Sequence, residues 1–408
     1  MPNVSIITLF HNRWDLARLY IDQWRAARPD PEEVELIFGD CSSSDGTAQV
    51  VGSASGLADV TLFGENLGFS RGNNALAAHA RGRFLVFLNN DVQLEKGWLE
   101  ELIGVFADRP GLGIAGNVQF SVYAREVDHA GIFFTPEGRP VHFRPAAASL
   151  PREAFFPAPA VTGACMAVRR ELFRRLGGFD EGFRNSYEDV DLCLRAHKAG
   201  AEVGVASRSS IWHYVGSSPG RFDSEEANAA RFASLWAEDA RKWSAVPPPV
   251  VEAQAGSSWV HPIMGGRETL QVFFPSASGY REEDSALRLY SRNQWTDVEV
   301  PLPEGFEPGD IPLRFDPGRN AGSFAVASVA LRRVGEDRPF WRAEGNALAG
   351  VCRASGTCRI VTGGPELNFQ SDGDDPQVLV ALPAKEPGKG GRVWFGVRLR
   401  TDCAETAG

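Results

Sequence analysis

Phe84 to Asp91, reading FLVFLNND, is the stretch that most restricts what this chain can fold into. An unbroken apolar run with β-preferring character passes straight into three polar residues, as expected of a strand covered on both faces whose carboxyl end opens onto a site. Ligands in open α/β sheets collect at such strand ends. Asn89 and Asp91 stand two apart, so on an extended backbone they point the same way and can share one hard cation through oxygen. An Asn-Asp turn closing an ordinary strand would read the same from the tripeptide alone.

The neighbouring stretches repeat the pattern. Val4 to Leu9 is a buried-strand run, followed after Asn12-Arg13 by a helical spacing through Leu16, Leu19, Tyr20 and Trp24. Val34 to Phe38 is a second strand ending at Asp40, and the loop Cys41 to Thr47 leads into a short helix that Asp45 or Thr47 can cap. Val60 to Phe63 is a third strand, and Asn66 to Gly82 reads as a loop entering a helix that stops at glycine. Farther on, Val161 to Phe183 combines a small-residue strand, a basic helix and a turn at Gly177-Gly178. Glu188 to Ala199 is a helix closed by Gly200, and Ile211 to Gly216 is a last apolar segment. Strands alternating with helices across short loops predict an α/β domain, a mostly parallel sheet with helices on both faces.

Pro247-Pro248-Pro249 cannot continue a helix and makes a stiff spacer. We therefore expect a domain over 1–245, a linker over 246–258 and a second domain over 259–408. Beyond the prolines, two-residue alternation takes over at Leu270, Val272 and Phe274, at Leu313 and Phe315, at Phe324 and Val326, and at Val393, Phe395, Val397 and Leu399. Such short strands between turn signals predict an all-β, jelly-roll-like sandwich. Its aromatics, Trp259, Tyr280, Tyr290, Trp295, Trp341 and Trp394, suffice either for a core or for a sugar-stacking face.

A length of 408 residues allows a full core in each domain, and a net charge of −10 argues against a nucleic-acid groove. No apolar run approaches the ~20 residues of a membrane span, and a strand pattern follows Met1-Pro2 directly in place of an export signal, so a cytoplasmic location is the expectation. The six cysteines lack paired zinc-site spacing and are expected as reduced thiols, with Cys352 and Cys358 in a tight surface turn.

Four motifs fall in the order of one known family. Asp40-Cys41-Ser42-Ser43-Ser44-Asp45-Gly46 resembles its DNGSTDG loop, and Asn66-Leu67-Gly68-Phe69-Ser70-Arg71-Gly72-Asn73-Asn74 its NLGFAxGxN segment. Asn89-Asn90-Asp91 stands where that family has its DxD metal motif, and Tyr187-Glu188-Asp189-Val190-Asp191-Leu192 resembles its ED motif. Together they are similar to family 2 glycosyltransferases of the GT-A fold, inverting enzymes of the bacterial surface-glycan type. Two departures stand out: Asn89 replaces the usual aspartate, and Leu9-Phe10-His11-Asn12 replaces the usual Pro-Thr-Tyr-Asn.

The resemblance implies transfer of a sugar from a nucleoside-diphosphate donor, UDP or dTDP, to a hydroxyl of a glycan, lipid-linked or protein acceptor, with possible peripheral membrane association by analogy. It implies Asp189 as base with Glu188 orienting the acceptor. It implies Asp91, Asn89 and His213 around Mg²⁺ or Mn²⁺, and a donor site from Asn12, Asp40, Ser42, Asp45, Asn66, Gly68, Arg71, Asn73, Asn90, Gly163 and Ala164. The chemistry of these residue types agrees. A carboxylate after the second strand can accept from a pyrimidine N3–H, an arginine fork suits phosphate, and a carboxylate at a helix N-terminus is fixed and kept ionised. The same acids would also simply stabilise a first turn, with Asp191 pairing to Arg195. A sugar nucleotidyltransferase would place a glycine-rich basic loop after the first strand, which His11 to Leu16 lacks. A non-catalytic glycan-binding protein would fit a metal site weakened by Asn89.

Overall fold

The computed structural model describes residues 2–216, 224–249, 266–275, 279–303, 306, 312–318, 322–333, 336, 338–363, 365–383 and 393–402. It divides into two compact units, Met1–His261 and Pro262–Gly408. Most of the expected linker, Trp259, Ser217-Ser218 and Cys403 lie outside the described residues. Among the described residues no helix is long and apolar enough to cross a membrane.

In chain order the first unit runs β1 (Val4–Phe10), α1 (Trp14–Ala27), β2 (Val34–Cys41), α2 (Thr47–Gly52), β3 (Asp59–Phe63), α3 (Gly68–Ala77), β4 (Phe84–Leu88), β5 (Val92–Leu94), α4 (Trp98–Gly104) and β6 (Leu112–Ser121). It continues through β7 (Val127–His129), β8 (Ile132–Phe134), β9 (Pro140–His142), β10 (Phe155–Pro157), β11 (Cys165–Arg169), α5 (Arg170–Arg175), α6 (Glu188–Lys198), β12 (Glu202–His213) and α7 (Glu225–Trp243). Its main sheet has the order β10-β12-β6-β11-β4-β1-β2-β3. Strands β3, β2, β1 and β4 are parallel, β11 runs against β4 and β6, and β12 is parallel to β6.

This order positions the site. The chain leaves β1 toward β2 and β3, then returns to the other side of β1 as β4, so the strand order reverses between β1 and β4, where α/β sheets open a ligand crevice. The loops after β1, β2, β3 and β4 all leave from that carboxyl edge. Because β11 is antiparallel to β4, with Cys165 opposite Leu88, the residues entering β11 reach the same edge. The last residue of β12, His213, also arrives there, paired with Val92.

The strand expected from FLVFL is buried at every position. Beneath the edge, Phe10, Tyr20 and Phe38 form an aromatic cluster with centroids 5.6–5.9 Å apart, and the Tyr20 hydroxyl shares a 2.6 Å hydrogen bond with Thr8. Full burial of such side chains contributes roughly 1.5–3 kcal/mol each.

The sequence reading missed β6 and α7. All ten residues of β6 are buried although it contains glycine, Asn117 and Gln119, and α7 buries Asn228, Phe232, Trp236 and Ala240 at four-residue spacing. The helix expected between Asn66 and Gly82 begins at Gly68 and ends at Ala77, capped at Ala78 well before the glycine.

The second unit is antiparallel throughout: β13 (Arg267–Phe273), β14 (Ser285–Ser291), β15 (Thr296–Pro301), β16 (Leu313–Asp316), β17 (Gly322–Arg333), β18 (Trp341–Glu344), β19 (Cys352–Gly363), β20 (Leu367–Val380) and β21 (Val393–Asp402), ordered β14-β13-β16-β20-β17-β21-β15 with β18 on β17 and β19 on β20. Leu270, Val272, Phe315, Val326, Phe395 and Leu399 form its core as the alternation predicts, whereas Phe274 and Val393 are only partly buried. Tyr290 and Trp394 are buried and Trp341 packs on the core, so these three serve packing. Cys352 and Cys358 are free thiols, but both lie along β19, not in a surface turn.

Candidate active site

The loop after β2 is built by its own carboxylates. Asp40, buried at the end of β2, accepts from the Ser43 backbone N–H at 2.9 Å and the Ser43 hydroxyl at 2.5 Å. Ser43 in turn accepts from the Asn12 backbone N–H at 2.8 Å, and the Asn12 side chain accepts from the Ser44 backbone N–H at 2.9 Å. Asp45 accepts from the Trp14 N–H at 3.0 Å and from both Thr47 donors, so it ties the start of α1 to the start of α2. Burial opposes its charge, but the bonds from Thr47 and Trp14 outweigh that and hold its carboxyl below the usual range. Asp45 therefore orders the loop. Ser42 is exposed with φ 56°, which costs a residue with a Cβ and leaves its hydroxyl at the surface.

His11 joins three loops. Its Nδ1 lies 2.8 Å from the Cys41 carbonyl, and its Nε2 lies 3.2 Å from the side-chain amides of both Asn12 and Asn66. Nδ1 must donate to the carbonyl, so Nε2 accepts from the amides. His11 thus serves a structural role, tying together the loops after β1, β2 and β3.

The Asn66 to Asn74 segment divides into inward and outward residues. Asn66 accepts from the Gly68 N–H at 3.0 Å, closing the turn. Gly68 has φ 71°, and a Cβ there would lie 3.1 Å from the Arg184 carbonyl oxygen, so glycine suits both the backbone and the contact. Asn73 is buried and donates to the Phe69 carbonyl at 3.0 Å, which makes it a brace within α3. Arg71 is exposed and lies 3.5 Å from the exposed Glu65, a weak surface pair.

At the centre of the edge the elements interlock. The Asn89 N–H donates to the Ala164 carbonyl at 2.9 Å, and the N–H of the preceding residue, Gly163, donates to Asp189 Oδ2 at 2.9 Å. Asp189 Oδ1 accepts from the Val190 N–H at 2.8 Å. A Cβ on Gly163 would sit 3.0 Å from the Phe69 ring and 3.6 Å from Asp189 Cβ, so only glycine leaves this edge open. The carboxylate at the start of α6 is thereby brought to the end of β4 through two adjacent residues. Glu188 is buried in the same first turn. Asp191 points away from the edge and is held by Arg195 at 2.7 Å and by the Trp236 indole N–H at 2.9 Å. The Arg195 partner agrees with the sequence reading.

Asp91 and His213 are both buried, with His213 Nε2 3.3 Å from Asp91 Oδ1. Adjacent ligands of one octahedral ion bonded at ~2.1 Å stand roughly 3 Å apart, so this pair fits two positions of a hard divalent cation. Among the described residues no group of three or more His, Cys, Asp or Glu side chains is arranged to hold a metal. Asn89 and Asn90 are half-buried beside Asp91.

Several residues escaped the sequence reading. Asn74 bridges α3 to the turn before α6, donating to the Phe179 carbonyl and accepting from the Phe179 N–H, both at 2.9 Å. Arg13 pairs with Asp15 at 3.0 Å, and Tyr123 and Asp91 add to the field that favours its charge over the cost of burial. His129 is buried beside the Gly163 edge: its Nε2 accepts from the Gly131 and Thr162 N–H groups at 3.1 and 3.4 Å, and its Nδ1 lies 3.2 Å from His142 Nδ1. Burial, then His142, His213 and Arg144, push its pKa well below the ordinary value. No spacing rule would have linked it to a motif more than thirty residues away.

Residues 5–177 match the family model described as glycosyl transferase family 2. Among curated proteins the chain is similar to the O-antigen biosynthesis protein RfbC of Myxococcus xanthus, 31% identical over 231 residues that make up 53% of this chain and 18% of that protein. It is also similar to N-acetylglucosaminyl-diphospho-decaprenol L-rhamnosyltransferase of Mycobacterium tuberculosis (strain CDC 1551 / Oshkosh), 28% identical over 214 residues, 46% of this chain and 69% of that one. The chain spans from 18% to 48% of the length of the first curated relatives it matches. Among solved structures it aligns with GalNAc-T7 bound to UDP, GalNAc and Mn²⁺, at 15% identity and a TM-score of 0.47 over 60% of this chain and 50% of that one.

Proposed function

Since residues 5–177 constitute a glycosyl transferase family 2 domain, we propose that this protein transfers a sugar from a nucleoside-diphosphate donor to a hydroxyl acceptor in glycan synthesis, with inversion at the anomeric carbon. The observation that carries the reading is the hydrogen-bonded step from Asp189 through Gly163 and Ala164 to Asn89, which brings a fixed carboxylate beside the Asn89-Asn90-Asp91 end of β4.

Each Asp189 oxygen takes one backbone N–H, which fixes the carboxylate and leaves each oxygen a further lone pair for a proton. In the proposed step the acceptor hydroxyl gives its proton to Asp189 as its oxygen bonds to the anomeric carbon. The bond from that carbon to the diphosphate oxygen breaks, and its electron pair leaves with the nucleoside diphosphate. Attack opposite the leaving group inverts the configuration in one displacement. Asp91 and His213, helped by Asn89, would hold Mg²⁺ or Mn²⁺, and a cation bound there supplies compensation for charge on the leaving diphosphate. Arg71, exposed on the surface and weakly paired with Glu65, would add a donor fork to the phosphates. Loop order around Asn12, Asp40 and Ser42 supports a base-binding role for that loop. We assign UDP or dTDP sugars as donors, and a glycan, lipid-linked or protein hydroxyl as acceptor.

The test is release of nucleoside diphosphate from a panel of UDP-, dTDP- and GDP-sugars, with and without Mn²⁺, each with a panel of glycan and lipid-linked acceptors. Asp189→Asn keeps the side-chain shape and an acceptor for one of the two backbone N–H groups, but its NH2 cannot accept and the proton acceptor is removed. Turnover is expected to fall roughly 10²–10⁴-fold with donor affinity nearly unchanged. Equal turnover in wild type and variant would remove Asp189 as the base, and no release from any donor would remove the transferase reading.

A further inference from the structure

The residues leading into α6 hold a conformation that their own side chains do not favour. Ser186 has φ 97° and Tyr187 φ 70°, two successive residues with Cβ atoms in left-handed geometry, and no side-chain bond caps the helix they open. Asp189 lies two residues beyond.

What holds them comes from α7 and from the Asn66 to Asn74 segment. Asn228, buried on α7, donates through its side-chain amide to the Asn185 carbonyl at 2.9 Å and to the Ser186 hydroxyl at 3.3 Å. The Ser186 hydroxyl donates to Glu225 at 2.9 Å, and the Tyr187 ring packs on Phe232 with centroids 5.2 Å apart. From the other side, the Phe69 N–H donates to the Asn185 side-chain oxygen at 3.2 Å and to the Arg184 carbonyl at 3.0 Å. Asn185 is thus gripped at two atoms, one from each side.

We propose that Asn228 is a positioning residue: with Asn185 it forms a bracket that fixes the strained entry to α6 and so sets the placement of the Asp189 carboxylate against Gly163. This rests on the proposed transferase reading, in which Asp189 is the base. Asn228 acts through the peptide at Asn185, and the buried amide at this point of the α7 stripe is otherwise an odd companion for Phe232 and Trp236. A purely apolar stripe would bury α7 as well but would leave the Asn185 carbonyl without this donor.

The experiment uses the full chain carrying Asn228→Asp, which keeps the side-chain shape and turns the donor into a second acceptor. Hydrogen exchange is read at the amides of residues 188–191, and kcat, donor KM and nucleoside-diphosphate affinity are measured alongside. Expected are faster exchange confined to that turn and a fall in kcat of about 10-fold to 10²-fold, as for a misplacement near 1 Å, with nucleoside-diphosphate affinity within about twofold. Adding Ser186→Gly, which accepts φ 97° without strain, should restore part of the protection. Unchanged exchange at 188–191 overturns the bracket whatever the activity, and faster exchange with unchanged kcat in an active enzyme overturns its role in placing Asp189. If the wild-type protein turns over no donor, the transferase reading fails while the exchange result still decides the bracket. Should Asn228→Asp not fold, Asn228→Ser, with a shorter donor, is read the same way.

Discussion

In the N-terminal unit one set of buried polar side chains gathers at the carboxyl edge of the sheet: Asp40 closes the loop after β2, Asp91 and His213 meet at the ends of β4 and β12, and Glu188 sits in the first turn of α6. In the C-terminal unit they lie within or beside strands and answer one another. Glu268 on β13 binds Arg292 and the Thr269 N–H, and Arg314 on β16 binds Asp316 at its own strand's end and Asp375. Burial nonetheless pushes the Asp316 carboxyl up to about 6, with Arg314 only partly offsetting it. Polar groups that complete one another inside a sheet specify packing. Polar groups whose geometry closes only around an open edge specify a site, and the variants that separate the two cases differ in what they break.

The largest difference is expected at Asp91. Asp91→Ala should lower turnover roughly 10²-fold or more and abolish its dependence on Mn²⁺, with thermal stability reduced far less than a core substitution would reduce it. Steady-state rates across a Mn²⁺ titration check this. A variant that loses folding and activity together would place Asp91 with the structural pairs.

The counterpart is Glu268→Ala. It removes the carboxylate partner of the Arg292 guanidinium, whose side chain is 23% exposed, so the loss is expected to fall below the ~3–5 kcal/mol of breaking a fully buried pair. Any sugar-transfer turnover by the N-terminal unit is expected within twofold of wild type at a temperature where the C-terminal unit stays folded. Urea unfolding followed by two probes, tryptophan fluorescence and activity, should separate two transitions and shift only one. A parallel loss of turnover would show the units to be coupled.

How far each region could be read from sequence follows the same division. Strands β1, β2 and β4 were legible because continuous apolar runs admit few alternatives, and β21 because its alternation has period two. Strand β6 was not, since Asn117 and Gln119 sit buried inside it and break the apolar run. At the site the motifs pointed to loops that the fold brings to one edge, but the bonds their side chains make within the fold could not be read from them. Asp45 and Asn73 have the residue types that bind nucleotides, yet here they hold Thr47, Trp14 and the Phe69 carbonyl. Asx side chains satisfy a ligand or their own backbone with equal ease, and only the fold decides which. Residues that brace a motif from afar, such as Asn74, Asn228 and His129, carry no local signal at all.

His129 gives the finest test, because it lies beside the site edge but is satisfied as a structural residue is. Its Nε2 accepts two backbone N–H groups, so the neutral ring carries its proton on Nδ1, directed at His142. Burial first, then His142, His213 and Arg144, hold its pKa well below the ordinary histidine value of 6.5. The sign follows from linkage. Below about pH 6.5 the unfolded chain takes up a proton there that the folded chain refuses, so protonation favours unfolding. Stability from this group is complete above that pH and falls as pH drops toward the folded pKa, by about 1.4 kcal/mol per pH unit. His197, whose pKa is lowered by burial against the opposing pull of the Pro159 carbonyl, adds to the same window. His129→Gln places an oxygen acceptor near the Thr162 N–H without a titrating ring. The urea midpoint of the variant should therefore depend less steeply on pH between 6.5 and 5 than that of the wild type, while turnover at pH 7.5 stays within a few-fold. An unchanged slope would mean that the ring accepts its proton in the folded chain, and the two backbone bonds at Nε2 could not then hold the Gly163 edge as described.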